Sequence, residues 1–194
     1  MFLPAILGIF LFLGHPQGVP AGPCSQPKII DQLLSWGYRT IPHPRKIEAI
    51  IIHSSYNILT PDSFSIAGIL REYKQIDVSP HYIIGRNGDI YRLVADSDIA
   101  YHAGKSRLPD GKTDVNSVSI GIELVNTIHD SPTNAQYTSL VLLVRCLESK
   151  YSIKYVLGHE DIAPGRKTDP WNFDWKKFDE MLGRAARGRS AQPR

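Results

Sequence analysis

The stretch VLGHEDIAPGRKTDP at 156–170 sets His159, Asp161, Lys167 and Asp169 close together, a set of groups that can bind a metal or move protons. Pro164, Gly165 and Pro170 forbid a continuous helix through it, so a short apolar strand is expected to run into a loop. A histidine at a strand end and a carboxylate ten residues later on a folded-back loop converge on one cation if a third ligand comes from elsewhere. The plainer alternative is a solvated loop that happens to carry charge.

Three other histidines are candidates for that third ligand. His53 ends the run at 47–53, whose apolar core at 49–52 reads as a strand covered on both faces. Ligands in open α/β sheets gather at such carboxyl ends, although a histidine there can also serve only as a structural cap. His81 and His102 are the rivals, and His102 lies beside Ala103 and Gly104, where small side chains leave room for something to approach. Glu123 is the candidate proton carrier. Along 118–126, Val118, Ile120, Ile122 and Leu124 alternate with Ser119, Gly121 and Glu123, so the carboxylate shares its face with almost no bulk. Burying a charge there is costly without a partner, which favours a functional or metal-linked role over a surface glutamate on an edge strand.

These groups need a scaffold, and the remaining pattern supplies one. A short helical patch is expected around 29–36. Thr60 and Pro61 read as the cap and first turn of a helix whose inner face is Ile66, Ile69, Leu70 and Tyr73. Asn87-Gly88 between two strand-like runs, 81–86 and 89–94, signals a hairpin. Thr133 and Gln136 form a capping box for a helix over 134–151, with Tyr137, Leu140, Val141, Val144 and Leu147 inward. A strand at 154–158 follows, and a last helix from 174 to about 186 turns Trp175, Phe178 and Leu182 to the core. The expected fold is a single α/β domain, with a central mixed β-sheet flanked by helices on both faces and the site at one end of the sheet.

Residues 1–21 carry an apolar block at 5–13 followed by small residues and prolines, which reads as a secretory signal too short to span a bilayer. Cys24 just beyond it suggests a lipoprotein acceptor. The organisation is then signal 1–21, lead-in 22–45, catalytic domain 46–183 and basic tail 184–194, with export to the periplasm or cell envelope of a bacterium. About 170 residues suffice for one domain and not two. A formal net charge of +3 without a basic run argues against nucleic acid. Two cysteines exclude a disulfide scaffold and a Cys-rich zinc module, and Cys146 reads as a buried thiol in an apolar helix.

Taken in order, IIIHSS, SPHYIIGRNGDIYRLV, AYHAG, SIGIELVN and GHEDIAPGRKTDPWNFDW resemble the blocks of the zinc-dependent N-acetylmuramoyl-L-alanine amidases of type 2. That group shares its fold with animal peptidoglycan-recognition proteins and phage amidase lysozymes, and the likeness runs from about Lys46 to Leu182. The resemblance implies one zinc ion held by His53, His159 and Asp169, with Glu123 and Lys167 as the catalytic pair and peptidoglycan or a muropeptide as substrate. It also implies a substrate-contacting role for His102, Tyr101 and Trp171, a structural one for His81, and for Asp161 either support of His159 or a place among the ligands. Pro80 stands where phage and animal members carry an assisting tyrosine, Tyr101 replaces a common Trp and Trp171 a common Gly. Two imidazoles and a carboxylate leave an open position on zinc for water, the pattern of a hydrolytic site. The rival functions are a non-catalytic peptidoglycan-binding module and a zinc peptidase on the stem peptide. A monomer without a stable transmembrane helix is expected.

Overall fold

The apolar run at 49–52 becomes strand β3 (Ala49–Ser55) of a computed structural model that describes residues 27–184. In chain order the other strands are β1 (Ile29–Asp31), β2 (Tyr38–Arg39), β4 (Tyr82–Ile84), β5 (Ile90–Arg92), β6 (Ile99–Ala100), β7 (Ser119–Val125) and β8 (Tyr155–Gly158). The helices are α1 (Ile66–Gln75), α2 (Val115–Val118), α3 (Asn134–Lys150), α4 (His159–Ile162) and α5 (Trp175–Leu182). Six strands form one mixed sheet in the order β1-β5-β4-β7-β3-β8, while β2 and β6 pair separately.

β3 runs parallel to both β7 and β8, and β7 runs parallel to β4. All seven residues of β7 are buried, as a parallel strand covered on both faces requires. Along β3, side chains alternate between two cores. Ile50 and Ile52 join Ile120, Ile122 and Leu124 beneath α3 and α5, where Tyr137, Leu140, Val144 and Phe178 are buried. Ala49 and Ile51 face the other way, against Leu108, Val115 and Ile162. α1 covers that second face further along, with Ile69 and Leu70 on Ile83, Leu93 and Val125. Each of these large side chains contributes on the order of 1.5–3 kcal/mol when fully buried.

Local chemistry fixes the ends. The capping box is present as expected: Thr133 Oγ1 accepts from Gln136 N at 3.1 Å, and Gln136 Oε1 accepts from Thr133 N at 3.0 Å. The Gln136 amide also donates to the carbonyls of Ile84 and Val125, tying α3 to two strands. The Asn87-Gly88 turn joins antiparallel β4 and β5, with Gly88 at φ +88°.

Several sequence expectations need correction. In place of the helical patch expected around 29–36, residues 29–31 form strand β1, in which β-branched Ile29 and Ile30 extend along β5, and 32–36 are irregular. α1 starts at Ile66, with Ser65 Oγ accepting from Gly68 N at 3.2 Å, because the Thr60 hydroxyl is engaged by the Asn57 side chain. α5 ends at Leu182, where Gly183 adopts φ +72°. Cys146 is half-buried on α3 rather than fully buried. The segment 1–21, Cys24 and the tail from 185 onward lie outside the described residues.

Candidate metal centre

Register decides which side chains meet. His53 pairs with Glu123 across β3 and β7, and Ile52 pairs with Gly158 across β3 and β8, so His53 and His159 leave neighbouring strands at the same level. Asp169 returns on the loop beyond α4, where Glu160 N donates to the Asp169 carbonyl at 2.8 Å and holds that loop against the helix.

Three donor atoms converge there. His53 Nδ1 and His159 Nδ1 are 3.0 Å apart, and Asp169 Oδ2 lies 3.3 Å from the first and 3.2 Å from the second. A tetrahedral zinc site with bonds of about 2.0–2.1 Å has edges of about 3.3 Å, so this triangle is one face of such a site. All three residues are buried, and among the described residues they are the group of three able to hold a metal ion. Burial holds His53 at about 4, so its imidazole is neutral at pH 7 and offers a lone pair. Burial pulls Asp169 upward, yet the two imidazoles that face it outweigh this and hold the carboxyl well below the usual range. The donor set is two imidazole nitrogens and one carboxylate oxygen, the chemistry an open zinc site uses.

The triangle opens into a cavity of about 390 Å³ whose wall includes Tyr73, Tyr101, Glu123, Arg166, Lys167 and Trp171. Burial, then the nearby Asp169 charge, raise Glu123 to about 8, against the lowering influence of the Tyr73 and Ser55 hydroxyls and Lys167. Its Oε2 is buried with no hydrogen-bond partner among the described residues. Lys167 is exposed on the rim. Trp171 is half-buried, donates from Nε1 to Thr168 Oγ1 at 3.0 Å and meets Tyr56 edge to face at 5.8 Å.

Other candidates fall outside the triangle. Asp161 Oδ2 accepts from Gly158 N at 2.8 Å, so it caps the turn that carries His159 and stands apart from the three converging donors. His81 is fully buried behind the site and accepts the Gly121 N–H at Nδ1, 3.0 Å away. His102 lines the cavity beside the triangle and reaches it through His53, whose Nε2 is 3.1 Å from His102 Nδ1. The face expected to be bare beside Glu123 is filled by this imidazole: a Cβ on Gly121 would lie 2.4 Å from His102 Cγ. Tyr73 was expected only as core, yet its hydroxyl donates to Ser55 Oγ at 2.6 Å and stands beside Glu123. Helical spacing marks a side chain as inward and says nothing of what its polar tip reaches.

The comparisons with known proteins agree with this geometry. Residues 43–172 match the family model described as N-acetylmuramoyl-L-alanine amidase. The chain is 35% identical over 156 residues to the 1,6-anhydro-N-acetylmuramyl-L-alanine amidase AmpD of Haemophilus influenzae, covering 71% of this chain and 83% of that one. A crystal structure of a Se-Met AmpD derivative superposes with a TM-score of 0.67 at 30% identity, covering 81% of this chain and 95% of that one. The amidase AmiD of E. coli, in complex with the substrate anhydro-N-acetylmuramic acid-L-Ala-D-gamma-Glu-L-Lys, superposes with a TM-score of 0.61 at 29% identity, covering 76% and 62%. The expectation of export to the periplasm or envelope is overturned by these relatives, because AmpD is a cytoplasmic amidase. No helix among the described residues is long and apolar enough to cross a membrane. By sequence match and by fold, the chain belongs to the N-acetylmuramoyl-L-alanine amidase family.

Proposed function

We propose that this protein is a zinc hydrolase that cuts the amide between N-acetylmuramic acid and L-alanine in muropeptides. The observation that carries the reading is the triangle of His53 Nδ1, His159 Nδ1 and Asp169 Oδ2, with edges of 3.0–3.3 Å, at the floor of an open cavity. Zinc held there supplies Lewis acidity to a carbonyl oxygen and makes a water more acidic.

The chain's own groups do the rest. In its ionised form Glu123 takes the proton of the attacking water and returns it to the nitrogen of the departing L-alanine, one residue serving as base and then acid, so the rate should rise as pH approaches about 8. Its unpaired Oε2 supports this role, since no competing donor has to be displaced. Lys167, on the cavity wall, offsets the negative charge that develops on the carbonyl oxygen. Tyr101 and Trp171 line the groove and offer flat apolar faces to the sugar or the first peptide residues.

Because the similar AmpD proteins are named for a 1,6-anhydro substrate, the anhydromuramoyl peptide is the first compound to test, beside its intact muramoyl counterpart. Incubation with each tripeptide and mass analysis should give free sugar and a peptide with a new L-alanine amine. Cleavage within the stem peptide would make the protein a peptidase, and binding without turnover by the zinc-loaded protein would make it a recognition module.

A further inference from the structure

We propose that His102 is a positioning residue that fixes the tautomer of His53 through a polarised hydrogen-bond chain starting at the Val115 carbonyl. The proposal deepens the metal-site reading above and rests on it.

The direction of each bond follows from what its atoms can do. Ser119 Oγ lies 2.6 Å from Val115 O, and a carbonyl only accepts, so the hydroxyl hydrogen is committed there. Oγ then presents lone pairs to His102 Nε2 at 3.2 Å, so Nε2 carries the hydrogen. A neutral imidazole with Nε2–H has a bare Nδ1, and His53 Nε2 donates to that atom at 3.1 Å. The hydrogen of His53 is therefore on Nε2, and its Nδ1 points bare at His159 Nδ1 and Asp169 Oδ2. A histidine that binds metal through one nitrogen is oriented by the bond its other nitrogen makes.

The adjacent residue does the same for the second ligand. His159 Nε2 donates to the Ala103 carbonyl at 3.2 Å, which leaves His159 Nδ1 bare as well. Asn116 Oδ1 accepts from the backbone N–H of both His102 and Ala103, at 3.1 and 2.8 Å, and clamps this pair in place. One short segment thus sets both imidazoles, through a side chain for His53 and a backbone carbonyl for His159. The glycine at 121 makes the arrangement sterically possible, since any Cβ there would enter the His102 ring. With both ring nitrogens engaged inside the protein, His102 has none left for substrate.

The test reads tautomers in metal-free, nitrogen-15-labelled protein by long-range proton–nitrogen correlation in the imidazoles, alongside zinc titration. Native protein should show His53 protonated at Nε2 only. His102→Asn offers Oδ1 where Nδ1 stood, and should keep that tautomer and near-native zinc affinity. His102→Ala should show mixed His53 tautomers and a zinc dissociation constant raised roughly 10–100-fold. If His102→Ala does not fold by circular dichroism, Ser119→Ala provides the reading, with mixed tautomers expected at His102 and then at His53. Native His53 protonated at Nδ1, or a folded His102→Ala protein that keeps the Nε2–H tautomer and native affinity, overturns the proposal. Native protein with the stated tautomers and no zinc uptake sinks the metal-site reading and leaves the hydrogen-bond chain standing.

Discussion

Replacing Gly121 by alanine puts a methyl group where no atom fits. The added Cβ would lie 2.4 Å from His102 Cγ, 2.7 Å from Nδ1 and 2.8 Å from Cδ2, whereas ordinary contact begins at 3.4 Å. To restore contact the ring must retreat by about 1 Å, because the buried strand behind it pairs with β3 and β4 and cannot yield. The bonds from His53 Nε2 at 3.1 Å and to Ser119 Oγ at 3.2 Å are already near the long end, and such a retreat breaks both. Two lost bonds at about 1 kcal/mol each, with overpacking of about 1–3 kcal/mol, give a loss of about 3–5 kcal/mol. For a domain of this size that lowers Tm by about 6–20 °C. Calorimetry of the metal-free protein measures the stability cost, and zinc titration measures the loss of His53 orientation. A Gly121→Ala protein with native Tm and native zinc affinity would refute the steric reasoning, because it would mean the ring has room the structure denies it.

His53→Ala, His159→Ala and Asp169→Ala should each lose zinc on dialysis, measured by elemental analysis, because three protein ligands leave none spare. Glu123→Gln should keep fold and zinc but lose roughly 100-fold or more in turnover, the scale of a positioned general base; near-native rates would move the base elsewhere. Tyr73→Phe removes the hydroxyl that joins Ser55 and stands beside Glu123, and should lower kcat with little change in KM; an unchanged kcat would return Tyr73 to a purely packing role. Glu48 is buried beneath Lys112, Lys46 and Lys154, whose hydrogen bonds hold it at about 2, below its ordinary 4.5. A depressed carboxylate stabilises the fold above its unfolded value and loses that contribution as pH falls through the folded one. Glu48→Gln should therefore melt earlier than native at pH 7, with the gap closing between about pH 4.5 and about pH 2; a gap independent of pH would show that charge is not the cause.

The site's ligands were readable because strand periodicity and loop punctuation constrain them locally. A β-branched run ending in His53 and an apolar run ending at Gly158 must present their last polar residues at sheet ends, and both do. What joins those ends was not readable, since the parallel register of β3 with β7 and β8 is a long-range property. The same limit explains Tyr73, whose helical spacing was visible while its hydroxyl partner 18 positions away was not. It also explains β1, whose extended form depends on a parallel partner 61 positions away and not on its own propensity. Gly121 was visible but misread. Its lack of a side chain pointed to an empty face beside Glu123, and that space is taken by His102.

That misreading bears on how the fold couples to the site. Side chains on a strand alternate faces, so Ala49, Ile51 and His53 share one face of β3 while Ser119, Gly121 and Glu123 share the matching face of β7. A slip of one residue in either strand would turn His53 or Glu123 into the opposite core, among Ile120, Ile122 and the side chains of α3. The isoleucines that alternate with the functional residues therefore do more than fill volume. Their burial under α3 and α5 selects the one register in which the imidazole, the carboxylate and the ring of His102 lie side by side. Stability of that core and geometry of the metal-binding triangle are consequently one property, and substitutions such as Ile122→Ala should disturb the site only to the extent that they loosen the pairing of β3 with β7.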